Sequence, residues 1–299
     1  MNPAPPPSSR TISLASRLFV FRGDRAQGKP ENIRNVNGWC PFCHPTQLTN
    51  VFRREGDLIW LMNKYRTIED TVQTIIVESA DHVGDPSNYT AAEMRRILRF
   101  SVACWHEMRR SGRCDDVVMF KNFGPLSGGS LRHPHLQIVG LRRGATAARS
   151  LETLLSGVEV WDSPRAQALV AARPLVGPDE FTLVARDGHD LASLDELADL
   201  IRATVTYVLG TYRGGRCGSY NLFFYEDEAA WREPTASMAE AAGAGVGTRE
   251  SARIVCRVVP RWPVSPYQIG YGITQVSSAT ELSRIADELH PYVLRTLER

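Results

Sequence analysis

Two stretches of the chain, TIIVESADH (Thr74 to His82) and FTLVARDGH (Phe181 to His189), read as one element written twice: a β-branched strand closing on aspartate and histidine. Each leads into a segment with apolar residues at helical spacing. In the first, Tyr89 to Arg110, these are Met94, Ile97, Leu98, Val102, Trp105 and Met108; the second runs from Leu194 to Tyr212 behind Ser193 as N-cap. The tripeptide Gly-Arg-Cys closes both helices, at Gly112 to Cys114 and Gly215 to Cys217. Strands beginning DDVVMF (first strand residues Asp116 to Lys121) and SYNLFF follow. A third strand completes each set: the segment after SGGSLR in the first, and Ser251 to Val259, without histidine, in the second. Such an offset repeat predicts a duplicated α+β unit with one copy stripped of its chemistry. The expected organisation is a disordered tail over 1–16, a catalytic unit over 17–150 and a degenerate unit over 151–299. The Ala-, Gly- and Glu-rich stretch 226–250 is expected to be a mobile loop, a lid or a linker.

At 299 residues the chain can bury a sizeable core, and its 43% hydrophobic and 23% charged residues belong to a globular protein. No apolar run approaches the ~20 residues that cross a bilayer, and the proline-rich start MNPAPPPSSR has no apolar segment behind it. The reading is therefore cytoplasmic, with no membrane partner. A net charge of +2 built from interspersed residues offers no footprint for nucleic acid. Six cysteines in such a chain are thiols or metal ligands rather than a disulfide framework.

The stretch SGGSLRHPHLQIVG (Ser127 to Gly140) carries the chemistry. In a strand, His133, His135 and Gln137 would share one face and Pro134, Leu136 and Ile138 the apolar other. Gly128 and Gly129 open a loop whose backbone N–H groups can cradle a phosphate. Histidine is a competent nucleophile when one ring nitrogen is held as a donor and the other is free. Gln137 can bind a phosphoryl oxygen but cannot shuttle a proton. The competing reading is a His-x-His metal pair. Cys40-Pro-Phe-Cys43 has the spacing of half a zinc knuckle, and equally of a redox pair, a packed turn or a chance pair. A tetrahedral site needs two more ligands, with His44, His82, His106, His133, His189 and His290 as candidates; His106 and His290 read as ordinary surface or core histidines.

Together CPFC, the strand ending Asp81-His82 and FKNFGPLSGGSLRHPHLQ resemble the galactose-1-phosphate uridylyltransferase family of the histidine triad superfamily, over about residues 17 to 295. KPENI, NKY, KNFGP and SPYQIGY resemble a bacterial branch of unassigned substrate. The resemblance implies two tandem histidine-triad-like units, antiparallel sheets with packed helices. It also implies one zinc per chain on Cys40, Cys43, His82 and His133, with His135 as nucleophile. That histidine would attack the α-phosphorus of a nucleotide or nucleotide-sugar donor, and a phosphorylated small-molecule acceptor would then take the nucleotidyl group. Gln137 and Ser130 would bind nonbridging oxygens, with Asn122 close to the phosphates. Asn63 would contact the nucleoside, and Arg25 to Lys29 would supply the family's basic N-terminal segment. Tyr271 lies in Gly270-Tyr271-Gly272, which replaces a Gly-Tyr-Glu whose glutamate touches the hexose, so galactose and glucose phosphates are disfavoured. Lys64 stands where the uridylyltransferases have an acidic residue near the ribose. Pairing of two chains is implied, with Ser265 to Gly272 completing the partner's pocket. Hydrolytic superfamily members carry histidine at the position of Gln137, so transfer is preferred. Alternatives are a dinucleoside polyphosphate or nucleotide-sugar phosphorylase or hydrolase, and a non-catalytic zinc-stabilised nucleotide-binding protein.

Overall fold

The structure is a computed structural model that describes residues 20–34, 38–142, 154–226, 252–262 and 278–298. The expected tail 1–16, the expected loop 226–250 apart from Glu226, Tyr271 and the segment 265–272 lie outside the described residues.

Among the described residues ten strands form one antiparallel sheet: β1 Val51–Glu55, β2 Leu58–Met62, β3 Thr71–Val77, β4 Asp116–Phe123, β5 His135–Leu141, β6 Gly157–Asp162, β7 Ala166–Ala171, β8 Phe181–Ala185, β9 Ser219–Glu226 and β10 Ile254–Arg261. Their order is β1-β2-β3-β5-β4-β9-β10-β8-β7-β6. Read inward from each edge, the halves run 1-2-3-5-4 and 6-7-8-10-9, the same path traced twice, joined where β4 pairs with β9.

Three long helices among the described residues, α1 Ala91–Arg110, α2 Leu191–Gly210 and α3 Ala279–Leu297, supply apolar faces that meet the sheet. Leu58, Trp60, Ile76, Leu136 and Ile138 pack with Ile97, Leu98, Trp105 and Leu197 in the main core. Period-2 alternation sends Ile59, Leu61, Ile75 and Val77 to the opposite face, into a small cluster with Cys40, Phe42 and Leu131. His135 lies opposite Val77 and Gln137 opposite Ile75, so both side chains project from that second face.

Helix α1 starts on a reciprocal cap: Glu93 N–H donates to Thr90 Oγ1 at 3.2 Å and Glu93 Oε2 accepts from Thr90 N–H at 2.7 Å. Helix α2 begins three residues before the expected Leu194. Its cap is Asp190, which accepts from the N–H groups of Ala192 and Ser193, and Ser193 itself donates its hydroxyl to Asp190. A carboxylate offers two acceptor oxygens to the bare N–H groups of a helix start, where serine offers one hydroxyl. The first expected strand, Thr74 to His82, ends at Val77, and Asp81 and His82 belong to the turn that follows. The last expected strand, Ser251 to Val259, is Ile254–Arg261.

Candidate functional site

Strand β5 starts at His135, so the three polar residues of HPHLQ do not share one strand. Pro134 has no N–H to give the ladder and ends it. Its carbonyl instead accepts from Glu78 N–H at 3.1 Å, and His133, one residue earlier, turns out of the sheet. The two histidines thus face different groups.

His133 is fully buried and its Nε2 lies 2.9 Å from the Ser79 carbonyl oxygen. A carbonyl only accepts, so Nε2 carries the proton and Nδ1 presents a lone pair. That lone pair lies 3.6 Å from Cys43 Sγ, and His82 Nδ1 lies 3.2 Å from the same sulfur. Cys40 and Cys43 flank Pro41 and Phe42 in a single 3-10 turn (Pro41–Cys43), which brings both thiols to one side. Ligand atoms of Cys40, Cys43, His82 and His133 all lie within 4.8 Å of one another. Metal–ligand bonds of about 2.0–2.3 Å in a tetrahedron put ligand atoms about 3.5 Å apart, so this Cys2His2 cluster can bind a metal ion. Its second contact, histidine N–H to a backbone carbonyl, is the one that fixes a ligating imidazole. Burial and the neighbouring Cys40 push the Cys43 thiol up to about 11 when no cation offsets them. His44 is outside the cluster, stacked on Trp39 at 6.0 Å. His106 pairs with Glu226 at 2.9 Å and His290 with the Val160 carbonyl at 2.8 Å, both away from it.

His135 Nδ1 donates to the His133 carbonyl oxygen at 2.8 Å, which leaves Nε2 as the nitrogen with a free lone pair. Burial lowers its pKa to about 4, so the ring is neutral near pH 7. Phe42, which lines the cleft, meets both imidazoles edge-on, at 5.7 Å for His133 and 5.5 Å for His135.

His135 and Gln137 line a cleft of about 1200 Å³ together with Gly128, Gly129, Ser130 and Asn63. Its described lining includes Lys29, Lys64 and Arg66 and no carboxylate, which suits an anionic ligand. Half-burial lowers the pKa of Lys29. Gly128 adopts φ +86°, and Gly129 N–H is taken up by Ser127 Oγ at 3.3 Å. The Ser130 carbonyl accepts from the N–H groups of Asn32 and Ile33, and Asn32 Oδ1 accepts from Arg132 N–H at 2.7 Å. Thus KPENI pins the glycine loop. Asn63 Oδ1 is occupied by Tyr65 N–H at 2.9 Å. Arg25, on the helical turn Gly23–Ala26, is exposed and outside the cleft's lining, but it donates to the carbonyl of the lining residue Arg66 at 3.3 Å. Asn122 sits on the same sheet face beside His135, below the glycine loop: a Cβ on Gly129 would stand 3.4 Å from its Cβ.

Beneath the His-Pro-His turn lies a buried ion pair that motif reading missed, Lys121 Nζ to Glu78 Oε1 at 2.5 Å. Tyr89 OH donates to the other Glu78 oxygen at 3.1 Å. Since β5 lies between β3 and β4, the pair bridges the two neighbours of the strand that carries His135. Its signal was a lysine in phase with Val117 and Met119, on the apolar side of β4.

Among the described residues no helix is long and apolar enough to cross a membrane. No curated protein matches the chain. The uridylyltransferase structure shares 15% identity, covering 87% of this chain and 93% of its own, with a TM-score of 0.60. An ADP-glucose phosphorylase from Arabidopsis thaliana with bound ADP-glucose shares 14%, covering 84% and 90%, at 0.61. At these identities the likeness is one of fold: a large antiparallel sheet with a few packed helices. A DUF4931 family protein from Bacillus cereus is 34% identical, covering 81% of this chain and 98% of its own, with a TM-score of 0.62. Residues 21–143 match the N-terminal domain and 150–232 the C-terminal domain described as domain of unknown function DUF4931. The chain therefore belongs to the DUF4931 family, a branch that shares the fold of the uridylyltransferases.

Proposed function

We propose that the protein is a nucleotidyltransferase working through a nucleotidyl-histidine intermediate on His135. The observation that carries this reading is the presentation of His135: Nδ1–H tied to a backbone carbonyl and Nε2 free, on the wall of a cleft with cations and no carboxylate. Nε2 attacks the α-phosphorus of a nucleotide or nucleotide-sugar donor. The N–P bond forms as the bond to the bridging oxygen breaks, and that oxygen leaves as a phosphate anion. An oxygen of a second phosphate, inorganic or on a small molecule, then attacks phosphorus and restores free His135. Because both leaving group and acceptor are phosphate-type, no strong general acid is needed, and the amide of Gln137 suffices to bind a nonbridging oxygen. Ser130, Gly128 and Asn122 are the remaining partners of the phosphates, with Lys29 close by and Asn63 toward the nucleoside.

Cys40, Cys43, His82 and His133 would hold a zinc, chosen by the two thiolates and two imidazoles. Held there, it would pin the turn that carries His135. The matching strand orders support a second proposal, that the halves 17–150 and 151–299 are copies of one histidine-triad-like unit with the chemistry retained in the first. Pairing of two chains in solution goes with this reading, and light scattering showing a monomer removes it.

The test is incubation of the full-length protein with nucleoside triphosphates and nucleotide sugars labelled at the α-phosphate. An acid-labile adduct mapped by mass spectrometry to His135, absent from His135→Ala, is the expected result, and its added mass names the nucleotide. No adduct with any donor, with wild type and His135→Ala alike, sinks the reading. Product analysis with and without inorganic phosphate separates transfer from phosphorolysis.

A further inference from the structure

A row of side chains crosses the middle of the sheet on the face that carries His135. Lys121 pairs with Leu136, so the next residue of β4, Asn122, stands beside His135; Asn122 pairs with Asn221 on β9. Asn221 in turn pairs with Val259 on β10, two residues before Arg261. The row therefore runs from the half that carries the histidines into the half that does not.

Its hydrogen bonds have a fixed direction. Arg261 Nε can only donate, and it lies 2.5 Å from Asn221 Oδ1. The Ser127 carbonyl can only accept, and it lies 3.0 Å from Asn221 Nδ2. Two independent partners thus orient the Asn221 amide the same way. Its Nδ2 also reaches Asn122 Oδ1 at 2.6 Å, so the Asn122 amide is oriented in turn. The Asn122 oxygen is consumed by this bond, and its NH2 is the group left over. That NH2 has no hydrogen-bond partner among the described residues, although Asn122 is half-buried. Asn221 is 2% exposed, so its order is not lost to water.

We propose that Asn221 and Arg261 are positioning residues for an anion at His135: the relay Arg261 to Asn221 to Asn122 holds the Asn122 NH2 toward the phosphates and the Asn122 carbonyl away from them. The same Asn221 fixes the glycine loop through Ser127. In this view the second half is retained because it sets the polarity of a side chain in the first. This assignment rests on the nucleotidyl-transfer reading for its purpose, and the hydrogen-bond direction stands independently of it.

Inorganic pyrophosphate binding to the full-length protein, followed by calorimetry, tests the relay without any donor turnover. Asn221→Ala is expected to weaken pyrophosphate on the order of tenfold, the loss of one ordered donor to an anion. Asn221→Asp is expected to weaken it further, because the Asn122 amide flips to donate to the new carboxylate and turns its oxygen to the ligand. Arg261→Met, at the part-exposed end of the relay, perturbs the fold least and is expected to give a smaller loss of the same sign. The decisive comparison is a cycle of Arg261→Met with Asn122→Ala, because Asn221 also holds Ser127 and keeps that part of its effect without Asn122: an arginine acting through Asn122 adds nothing once Asn122 is gone. A purely structural role adds its loss in either background, so additive effects overturn the relay, as does wild-type protein that binds no pyrophosphate. Pyrophosphate binding with an intact cycle but no adduct on His135 would keep the relay and sink the nucleotidyl-histidine reading alone.

Discussion

The imidazole of His133 donates Nε2–H to the Ser79 carbonyl at 2.9 Å, which aims Nδ1 at the Cys43 thiol. Ser79 follows Glu78, whose N–H is bound by the Pro134 carbonyl, so the segment after β3 grips the histidine turn on both sides of one residue. A metal on the Cys2His2 cluster would add a third tie between this turn, the CPFC turn and His82.

Elemental analysis of purified protein is accordingly expected to give about one zinc per chain, and Cys43→Ser or His82→Ala to give little. Loss of the metal should lower the unfolding temperature by about 5–10 °C, since a structural zinc stabilises only the folded chain. Wild-type protein that is metal-free and unfolds at the same temperature with or without added zinc would refute the assignment.

The Lys121–Glu78 pair sits with side chains 2% and 1% exposed, so removing one charge strands the other in the core. Lys121→Met is expected to cost about 3–5 kcal/mol in urea unfolding. Combining it with Glu78→Gln should recover much of that loss, since Gln still accepts from Tyr89 and no bare charge remains. If the single variant unfolds like wild type, the pair is not load-sharing beneath the histidine turn.

Gly124 holds φ +84° where the loop after β4 meets the start of β9, and a Cβ there would lie 2.3 Å from the Gly218 carbonyl oxygen. Gly112 has φ +64° with nothing within 4 Å. Alanine at Gly112 should therefore cost only the left-handed backbone term, about 1–2 kcal/mol. Alanine at Gly124 adds a backbone collision and should cost clearly more, and it should slow adduct formation by displacing the loop that leads to Gly128 and Ser130. Equal losses at the two glycines in thermal unfolding would contradict the contact.

Much of this was legible from residue types. HPHLQ announced itself because polar side chains at spacing two are costly in a strand, and CPFC because soft ligands recur at that spacing. What the sequence could not convey was the break at Pro134, which sends His133 to the Cys2His2 cluster and His135 to the cleft; alternation alone put both on one face. Helix α2 began early because Asp190 outcompeted Ser193 as a cap, a contest between neighbours that a preference scale does not decide. Arg25, expected as part of the basic N-terminal segment, stands at the carbonyl of the cleft residue Arg66 while Lys29 lines the cleft itself, a difference that one helical turn makes and charge does not show. Asn221 and Arg261 carry no motif at all. The role proposed for them comes from β9 lying beside β4 and β10 beside β9, long-range pairings that no local pattern encodes.

The unequal roles proposed for the two histidines follow from the break at Pro134. His135→Ala should abolish the covalent adduct while keeping the metal, because His135 Nδ1 is spent on the His133 carbonyl and its Nε2 belongs to the cleft. His133→Ala should lose the metal first. Its effect on adduct formation should be partial, since the nucleophile remains but the turn that holds it has lost its tie. Metal content and adduct yield measured side by side for the two variants distinguish these outcomes. If His135→Ala lost zinc as completely as His133→Ala, both imidazoles would be ligands, and the pair would be a His-x-His metal site with no nucleophile.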